Sequence, residues 1–394
     1  MKGCNLSFNG EKMPETRLVK LSISERNGHY VASLRSNTQR NARRLELKPH
    51  SEDIRRINEE LTESLADVVR RMLSRTGNQA RLTGAARDLA RSEFQWLAER
   101  GGVALDDIFY PEDLNSLRDM VGTASRVILD VDSDCFVFPW ELLYDDYRHD
   151  GLEYGNFWGF KYIIYRNIPP RPGLDVPASE VELRSASVGL LADRSLPKIA
   201  RQEVPFLRKL ERAQLIKLFS PSERLEPTLR KTLLDTDLRH FFGQEMDIVH
   251  FACHTRAPVV EAREPRDEYC LLIAKDFPLW RSDFSTYKLC FGDHPLVILN
   301  ACGTSPRHPL TTRNMVRKLL EHGARGVVTT ECIVPDALAA AFTEEFYPRL
   351  LNGQELGDAL FETRHALLCD SYNNPLGLLY ALYAYPATKF IRTN

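Results

Sequence analysis

The chain has 394 residues, two to three times the length of a typical domain, so one or two domains with a substantial core are expected. Hydrophobic residues make up 43% and charged residues 27%, which excludes a disordered or collagen-like chain. The 52 Lys and Arg nearly balance the 54 Asp and Glu, giving a net charge of -2. Overall charge therefore predicts no direct binding to nucleic acid or to an anionic membrane.

No apolar stretch approaches the roughly 18 residues that a membrane-spanning helix needs. The first ten residues turn polar at once and lack the apolar segment of a secretion signal. The eight cysteines are too sparse for a disulfide scaffold and include no Cys-x-x-Cys pair, so reduced thiols are expected. There is no phosphate-binding glycine loop and no His-Glu-x-x-His motif. These features predict a cytoplasmic protein that needs no metal or other cofactor.

The first third of the sequence has the pattern of a β-then-α module. Apolar and polar residues alternate, as in half-buried strands, at 19–24, 29–34 and 44–47. Asn27 and Gly28 predict a tight hairpin turn between the first two strands, because both tolerate positive φ. Helical spacing follows at 51–74 and at about 84–99. We assign residues 1–120 to this N-terminal module and expect a regulatory or partner-docking role for it.

From about residue 120 strands alternate with helices, which is typical of an α/β fold with a parallel sheet. Strands are predicted at 127–131, 162–165, 187–192, 246–253, 296–301 and 326–330, and helices at 203–212, 312–322 and 337–351. Gly323 is a favoured cap for the second of these helices. The most proline-dense stretch, at 168–173, predicts a connection. Residues 121–394 are thus one domain, with a first part to about 175 and a second part from about 185.

Two of the predicted strands deliver reactive side chains at their carboxyl ends, where the loops of such sheets carry function. His254 follows the strand at 246–253, and Cys302 follows the strand at 296–301. Neighbouring strands lie about 5 Å apart, so an imidazole and a thiol at two such ends can meet. The imidazole can take the thiol proton and later protonate a leaving amine. Either residue alone is usually a core residue, but their shared position favours a Cys-His pair.

Five segments, in order, resemble the CHAT-domain family of caspase- and separase-related cysteine peptidases. The two most specific are His-Phe-Ala-Cys-His at 250–254 and Leu-Asn-Ala-Cys at 299–302. The others are Phe-Pro-Trp-Glu-Leu-Leu at 138–143, Gly-Ala-Arg-Gly-Val-Val at 323–328 with Asp336, and Asn-Pro-Leu-Gly at 374–377 leading to Tyr385-Pro386. The resemblance covers roughly residues 125–390 and implies a caspase-like, mostly parallel sheet with helices on both faces.

The resemblance also implies a role for each matched position. Cys302 would be the nucleophile and His254 the general base and acid, while the backbone N–H groups of Cys302 and Thr255 would hold the oxyanion. Many relatives have glycine where this chain has Thr255, and β-branching resists positive φ. His250 belongs to the same motif, but in mid-strand we expect it to be a core residue.

An acidic residue beside the groove would select a basic side chain of the substrate, because a carboxylate pairs best with guanidinium. Asp336 resembles in position the acidic pocket residue of separase-like relatives, and Glu331 is a second candidate. However, Asp336 also follows Pro335 and precedes an alanine-rich helix, so it could instead cap that helix. Both interpretations of Asp336 stay open at this point.

A third acidic group, Asp130, Asp132 and Asp134, has the alternating spacing of cation ligands. It lacks the glycine and the final glutamate of a calcium loop, so a solvated loop is favoured.

These features predict a cysteine endopeptidase that cleaves a protein substrate through a thioester acyl-enzyme. Cleavage after a basic residue is a hypothesis from the acidic candidates. The family resemblance suggests activation by a protein partner and a role in prokaryotic cell death or antiviral defence. The alternative is a catalytically silent caspase-like scaffold that binds a protein partner, against which the presence of both His254 and Cys302 argues.

Overall fold

The computed structural model describes residues 15–39, 41–133, 138–148, 151–168, 180–183, 186–256, 270–303, 309–369, 371–384 and 388–392. Its strands are β1 (Thr16–Arg26), β2 (His29–Ser36), β3 (Arg43–His50), β4 (Arg126–Ser133), β5 (Ile163–Asn167), β6 (Glu180–Leu183), β7 (Ala186–Ala192), β8 (Ile216–Phe219), β9 (Ile248–Arg256), β10 (Cys270–Ala274), β11 (Phe277–Trp280), β12 (Leu296–Gly303), β13 (Gly326–Thr330), β14 (Tyr380–Ala384) and β15 (Lys389–Arg392). Its helices are α1 (Ser51–Thr76), α2 (Ala85–Ile108), α3 (Pro111–Val121), α4 (Trp158–Lys161), α5 (Val204–Arg212), α6 (Arg230–Leu233), α7 (Arg239–Phe242), α8 (Arg281–Thr286), α9 (Pro309–Glu321), α10 (Asp336–Leu351) and α11 (Leu356–Leu368). Short 3₁₀ or π turns lie at Trp140–Leu142, Tyr154–Asn156, Ile199–Glu203, Ser222–Arg224, Pro227–Leu229, Leu234–Leu238 and Pro375–Leu379.

The first sheet has five strands in the order β3-β2-β1-β4-β5. Strands β1, β2 and β3 form antiparallel hairpins, as predicted, and β4 and β5 add to β1 in parallel. The turn between β1 and β2 has φ of 53° at Asn27 and 79° at Gly28, so both residues use the left-handed region that the sequence indicated. Because β4 and β5 lie beyond residue 120, this sheet extends past the predicted end of the N-terminal module.

Helices α1 and α2 pack on this sheet. The buried side chains of α1 recur every three or four residues, which confirms its predicted amphipathic pattern. Helix α2 is longer than predicted and runs through Gly101 and Gly102, a pair that weakens the helical signal in the sequence. A side chain at Gly101 would collide with the Leu142 carbonyl, and one at Gly102 with the Tyr147 ring. The glycines therefore let α2 approach the segment after β4 closely.

The second sheet has the order β8-β7-β9-β12-β13-β14, and the β10–β11 hairpin joins β9 beside the end of β7. Strands β8, β7, β9, β12 and β13 are parallel to one another, and β14 runs antiparallel to β13. Two hydrophobic clusters cover its opposite faces. Alternate residues of β9 and β12 join α5, α10 and α11 on one face and α7, α8 and α9 on the other. The predicted α/β class, with a mostly parallel sheet covered on both faces, is confirmed.

The two sheets share one hydrophobic cluster and are joined by polar contacts. Arg126 of β4 pairs with Asp358 (Nε to Oδ1 2.8 Å) and with Glu355 (2.7 Å) at the start of α11. The Tyr165 hydroxyl of β5 accepts a hydrogen bond from the N–H of Gly357 at 2.9 Å. The predicted proline-rich connection lies, apart from Ile168, outside the described residues. Strands β6 and β15 pair separately as a two-stranded parallel sheet.

Candidate active site

The two predicted catalytic residues lie on neighbouring parallel strands. The register of β9 and β12 pairs the Cα of His254 with the Cα of Cys302, and the next pair is Thr255 with Gly303. Paired positions on adjacent strands are about 5 Å apart. The side chain of Cys302 lies outside the part of the chain that the structure describes, so this proximity is one of backbone positions. The structure thus brings the two predicted positions together at one rim of the sheet.

His254 and His250 lie on the same face of β9 but in different surroundings. His254 is half-buried near the carboxyl end of the strand. His250 is completely buried, with Nδ1 3.0 Å from the Tyr347 hydroxyl and Nε2 2.9 Å from a carboxylate oxygen of Glu203. His250 is therefore a hydrogen-bonded core residue, as expected, and His254 is the histidine of this motif that is partly open to solvent.

Glu203 links the two strands that carry the candidate pair. It is fully buried at the π turn before α5, and its Oε1 accepts hydrogen bonds from His250 of β9, Asn300 of β12 (2.6 Å) and Thr343 of α10 (2.8 Å). The Tyr380 hydroxyl donates to the side-chain oxygen Oδ1 of Asn300 at 2.8 Å. One carboxylate oxygen thus accepts hydrogen bonds from β9, β12 and α10. Glu203 therefore helps to hold β9 and β12 in register just below the rim. In the sequence Glu203 is only the first residue of a predicted helix, and no local pattern indicates its buried contacts.

Thr255, the predicted oxyanion donor, lies inside β9 rather than in a loop after it. It pairs with Gly303 of β12 on one side and with Leu271 of β10 on the other, and it is half-buried. The strand was predicted to end at Cys253 and continues to Arg256 because β10 pairs with its last residues. The backbone of Thr255 is thus part of the sheet ladder.

Asp336 is the first residue of α10 and follows the carboxyl end of β13, the strand that pairs with β12. Pro335 occupies the N-cap position, and no side-chain cap from this segment is seen among the described residues. Asn78, from the connection between α1 and α2, takes that role, since its Oδ1 accepts the N–H of Ala337 at 2.8 Å. The interpretation of Asp336 as a helix cap is therefore wrong. The Asp336 carboxylate is half-buried and makes no hydrogen bond or ion pair within the described residues.

Glu331, the second acidic candidate, is committed to a buried ion pair. Its Oε1 lies 2.6 Å from Nη1 of Arg166, and only 8% of the residue is exposed. Arg166 also pairs with Glu141 and donates to the Tyr383 hydroxyl at 2.8 Å. Because its charge is already paired inside the protein, Glu331 is a weaker candidate than Asp336 for binding a basic side chain.

Arg364 completes this buried cluster. Its Nη2 is 3.3 Å from Glu141, its Nη1 donates to the Gly159 carbonyl at 3.0 Å, and it also donates to the carbonyl of Tyr380. Burial lowers the pKa of the Arg364 guanidinium, and burial raises the pKa of the Glu331 carboxyl against the effect of Arg166. Two guanidinium groups face two carboxylates, so the charges balance. The cluster joins the Pro-Trp-Glu-Leu segment and β5 to β13, β14 and α11.

Five cysteines within the described residues are free thiols: Cys253, Cys270, Cys290, Cys332 and Cys369. Burial raises the pKa of the Cys253 and Cys332 thiols, which makes them poor nucleophiles. Cys290 is exposed at the opposite end of β12, with its sulfur 3.7 Å from Nδ1 of His322. That nitrogen also lies 2.9 Å from the Leu289 carbonyl, to which it donates, so it is not a base for the Cys290 thiol.

The predicted acidic loop is a strand over most of its length. Asp130 and Asp132 lie in β4, and Lys20 Nζ is 3.8 Å and 3.3 Å from their carboxylates. The side-chain amide of Asn167 donates to Asp130 at 2.5 Å. Asp134 lies outside the described residues, among which no group of three metal-ligating side chains occurs. The expectation of a solvated loop is therefore corrected, because pairing with β1 and β5 extends the strand.

Replacing Asp130 with asparagine is expected to stabilise the protein at pH 8 and to have little effect at pH 4. Burial raises the pKa of Asp130 to about 6, against the opposing effect of Lys20. Its stabilising contribution is complete below the unfolded value near 3.8 and is lost as the pH rises through about 6. The gain at pH 8 is at most about 3 kcal/mol. Urea unfolding at both pH values measures it, and an equal effect at both would contradict this account.

The fold is an α/β domain whose mostly parallel sheet brings the Cα positions of His254 and Cys302 together at one rim. Residues 99–381 match the CHAT domain family. The chain belongs to the CHAT domain family, which confirms the family predicted from the sequence. None of the described helices combines the length and apolar composition that a bilayer crossing requires.

A probable protease from Vitiosangium sp. (strain GDMCC 1.1324) is 31% identical over 152 residues, which are 36% of this chain and 18% of that protein. The chain therefore spans only a small part of that relative. Among solved structures, the separase-securin complex of Saccharomyces cerevisiae at 2.6 Å gives a TM-score of 0.48 with 13% identity, covering 95% of this chain and 30% of that chain. The complex at 3.0 Å gives a TM-score of 0.43 with 13% identity, covering 94% and 30%.

Proposed function

We propose that this chain is a cysteine endopeptidase in which Cys302 is the nucleophile and His254 the general base and acid. The pairing of their Cα positions across β9 and β12 carries the proposal. Two further observations support it. His254 is partly open to solvent, and the strands beneath it are held in register by Glu203. A pair that must exchange a proton needs this fixed backbone geometry.

The proposed reaction has two halves. His254 takes the thiol proton as the sulfur of Cys302 attacks the peptide carbonyl carbon, and the carbonyl oxygen becomes an oxyanion. The C–N bond then breaks, His254 gives its proton to the leaving amine, and a thioester remains on Cys302. In the second half His254 takes a proton from water, the hydroxide adds to the thioester, the C–S bond breaks, and His254 gives its proton to the departing sulfur. The products are a carboxylic acid and the regenerated thiol.

Backbone N–H groups of Cys302 and Thr255 are the proposed oxyanion donors. Thr255 lies opposite Leu271 of β10 and Gly303 of β12, and we infer that its N–H becomes available to a substrate when the last residues of β9 separate from a neighbour. Such a step suits an enzyme whose activity a protein partner switches on. We include this partner in the proposal, together with a cytoplasmic role in prokaryotic defence or cell death, on the family resemblance.

Arginine or lysine before the scissile bond is the proposed specificity, with Asp336 as the residue that binds it. We expect peptides with arginine at that position to be cleaved faster than matched peptides with aspartate. Asp336→Asn should lower kcat/KM for the arginine peptide by about 10- to 100-fold, because one charged hydrogen bond is lost. Steady-state kinetics on three peptides that differ only in arginine, lysine or aspartate measure this. A preference for aspartate, or no effect of Asp336→Asn, would contradict it.

New protein termini that depend on Cys302 test the peptidase proposal itself. Cells that make the active chain should contain cleaved proteins that are missing when they make the Cys302→Ala variant. Mass spectrometry of protein N-termini, with the relevant activating stimulus present, identifies these products and the residues before each cut. Identical termini with both chains would favour the alternative, a caspase-like scaffold that binds a partner.

A further inference from the structure

The segment between β13 and α10 carries Asp336 and is held at both ends by the first half of the chain. We call residues 331–337 the pocket loop. It leaves the carboxyl end of β13, which pairs with the candidate catalytic strand β12. Its two ends contact elements that lie far away in sequence, and these contacts are independent of each other. The position of Asp336 relative to the rim therefore depends on the first half of the chain.

The first end of the pocket loop is held by charge. Arg166 of β5 pairs with Glu331 at 2.6 Å, and both side chains are at least nine-tenths buried. Arg166 belongs to the first sheet, and its other carboxylate partner, Glu141, belongs to the Pro-Trp-Glu-Leu segment. A displacement of Glu331 would leave a buried guanidinium with one partner fewer, which is costly in a low dielectric. The start of the loop is thus tied to the first sheet.

The second end is held by a single hydrogen bond that it donates to an exposed side chain. Asn78 lies in the connection 77–84 between α1 and α2, and its Oδ1 accepts the N–H of Ala337 at 2.8 Å. This satisfies one of the N–H groups that every helix leaves open at its start. The same connection has two more contacts with the second half of the chain. The N–H of Leu82 donates to the Tyr372 carbonyl at 2.7 Å, and the Asn374 side chain donates to the Ala80 carbonyl at 2.8 Å.

We propose that Asn78 and Arg166 are positioning residues that set substrate specificity by clamping the pocket loop. They do not touch the reacting atoms. They hold Asp336 where the basic side chain of a substrate would lie beside Cys302, and this inference rests on the proposed function. A protein that displaces the connection 77–84 would loosen the pocket, so the N-terminal module controls substrate binding through this contact.

Asn78→Ala tests the clamp without disturbing the hydrophobic core, because the Asn78 side chain is exposed. We expect amide hydrogen exchange in the pocket loop to rise about fivefold, the size of a lost helix cap. Cys332 lies inside the loop and is half-buried, so its alkylation rate, resolved by peptide mass mapping, should rise with it. The KM for an arginine peptide should increase by about the same factor, with kcat retained, because the pocket and not the reacting pair is loosened.

Two matched variants control this experiment. Asn78→Asp keeps the acceptor oxygen at a helix start, where a negative charge is favourable, and should restore the protected loop and the low KM. Gln79→Ala changes the neighbouring exposed side chain, for which no hydrogen bond is seen within the described residues, and should change neither readout.

Each result decides a different point. If exchange and Cys332 alkylation are unchanged in Asn78→Ala, the clamp is wrong. If the loop loosens while the KM for the arginine peptide stays the same, the clamp exists but does not set specificity, and the inference is overturned. If the wild-type chain cleaves no peptide even with its partner, the proposed function fails, and the specificity role fails with it. The exchange data still decide in that case whether the clamp exists.

Discussion

His254→Ala is expected to lower peptide cleavage by about 10²- to 10⁴-fold while the free energy of unfolding changes by less than about 1 kcal/mol. His254 is half-buried at the rim, and in the proposed reaction it moves two protons per catalytic cycle. Its removal leaves the thiol of Cys302 without a base and the leaving amine without an acid. Steady-state kinetics and urea unfolding of the same preparation measure the two quantities.

His250→Ala is the matched control on the same strand and face. This histidine is completely buried between Glu203 and Tyr347, so its loss leaves a cavity and unpaired polar groups. We expect a loss of about 2–4 kcal/mol of unfolding free energy. The folded protein should lose much less activity than His254→Ala, because the backbone pairing of β9 and β12 remains. The assignment of the two histidines would be contradicted if His254→Ala destabilised as much as His250→Ala while folded His254→Ala protein stayed active.

Arg166→Met is expected to cost about 3–5 kcal/mol of unfolding free energy, because it leaves the buried carboxylate of Glu331 without its cationic partner. Arg166 is 4% exposed and pairs with both Glu141 and Glu331. Arg364 remains beside Glu141 at 3.3 Å but makes no contact with Glu331 among the described residues. Glu331 would therefore be a buried, unpaired acid. A total stability of 5–15 kcal/mol is typical of domains, so this one change removes a large fraction.

Arg56→Met controls for the removal of an arginine in general. Arg56 pairs with Glu60 at 3.0 Å on the surface of α1, where both side chains are about 60% exposed. Exposed pairs of this kind contribute about 0.3–0.5 kcal/mol. Urea unfolding of both variants at neutral pH gives the comparison. Similar costs for the two substitutions would show that the buried cluster does not join the two halves of the chain as described.

Much of the fold could be predicted from the sequence because its signals are local. Three features can each be recognised within a few consecutive residues, and the structure confirms them. They are the alternation of apolar and polar residues in β1 and β2, the Asn27-Gly28 turn and the apolar run of β12. The candidate pair could be predicted for the same reason, since each member directly follows a short apolar run. Their pairing followed from the assumption that the two strands are neighbours, which the register bears out.

Contacts between segments that are far apart in the chain leave no local pattern in the sequence. Asn78 and Ala337 are 259 positions apart, and Arg166 and Glu331 are 165 positions apart. Glu331 shows its charge in the sequence but not its partner, which is why it was a candidate for substrate binding. The end of β9 was placed too early because β10 is a short strand whose pairing the local pattern does not show.

The alkylation rate of Cys302, compared with that of Cys290, tests the central claim most directly. Peptide mass mapping after brief exposure to iodoacetamide at neutral pH gives the rate at each cysteine, and exposed Cys290 serves as an internal standard. If the imidazole of His254 faces the thiol of Cys302, this thiol is alkylated at least about tenfold faster than Cys290, and His254→Ala removes the difference. Slow alkylation of Cys302, or a fast rate that persists in His254→Ala, would contradict the account.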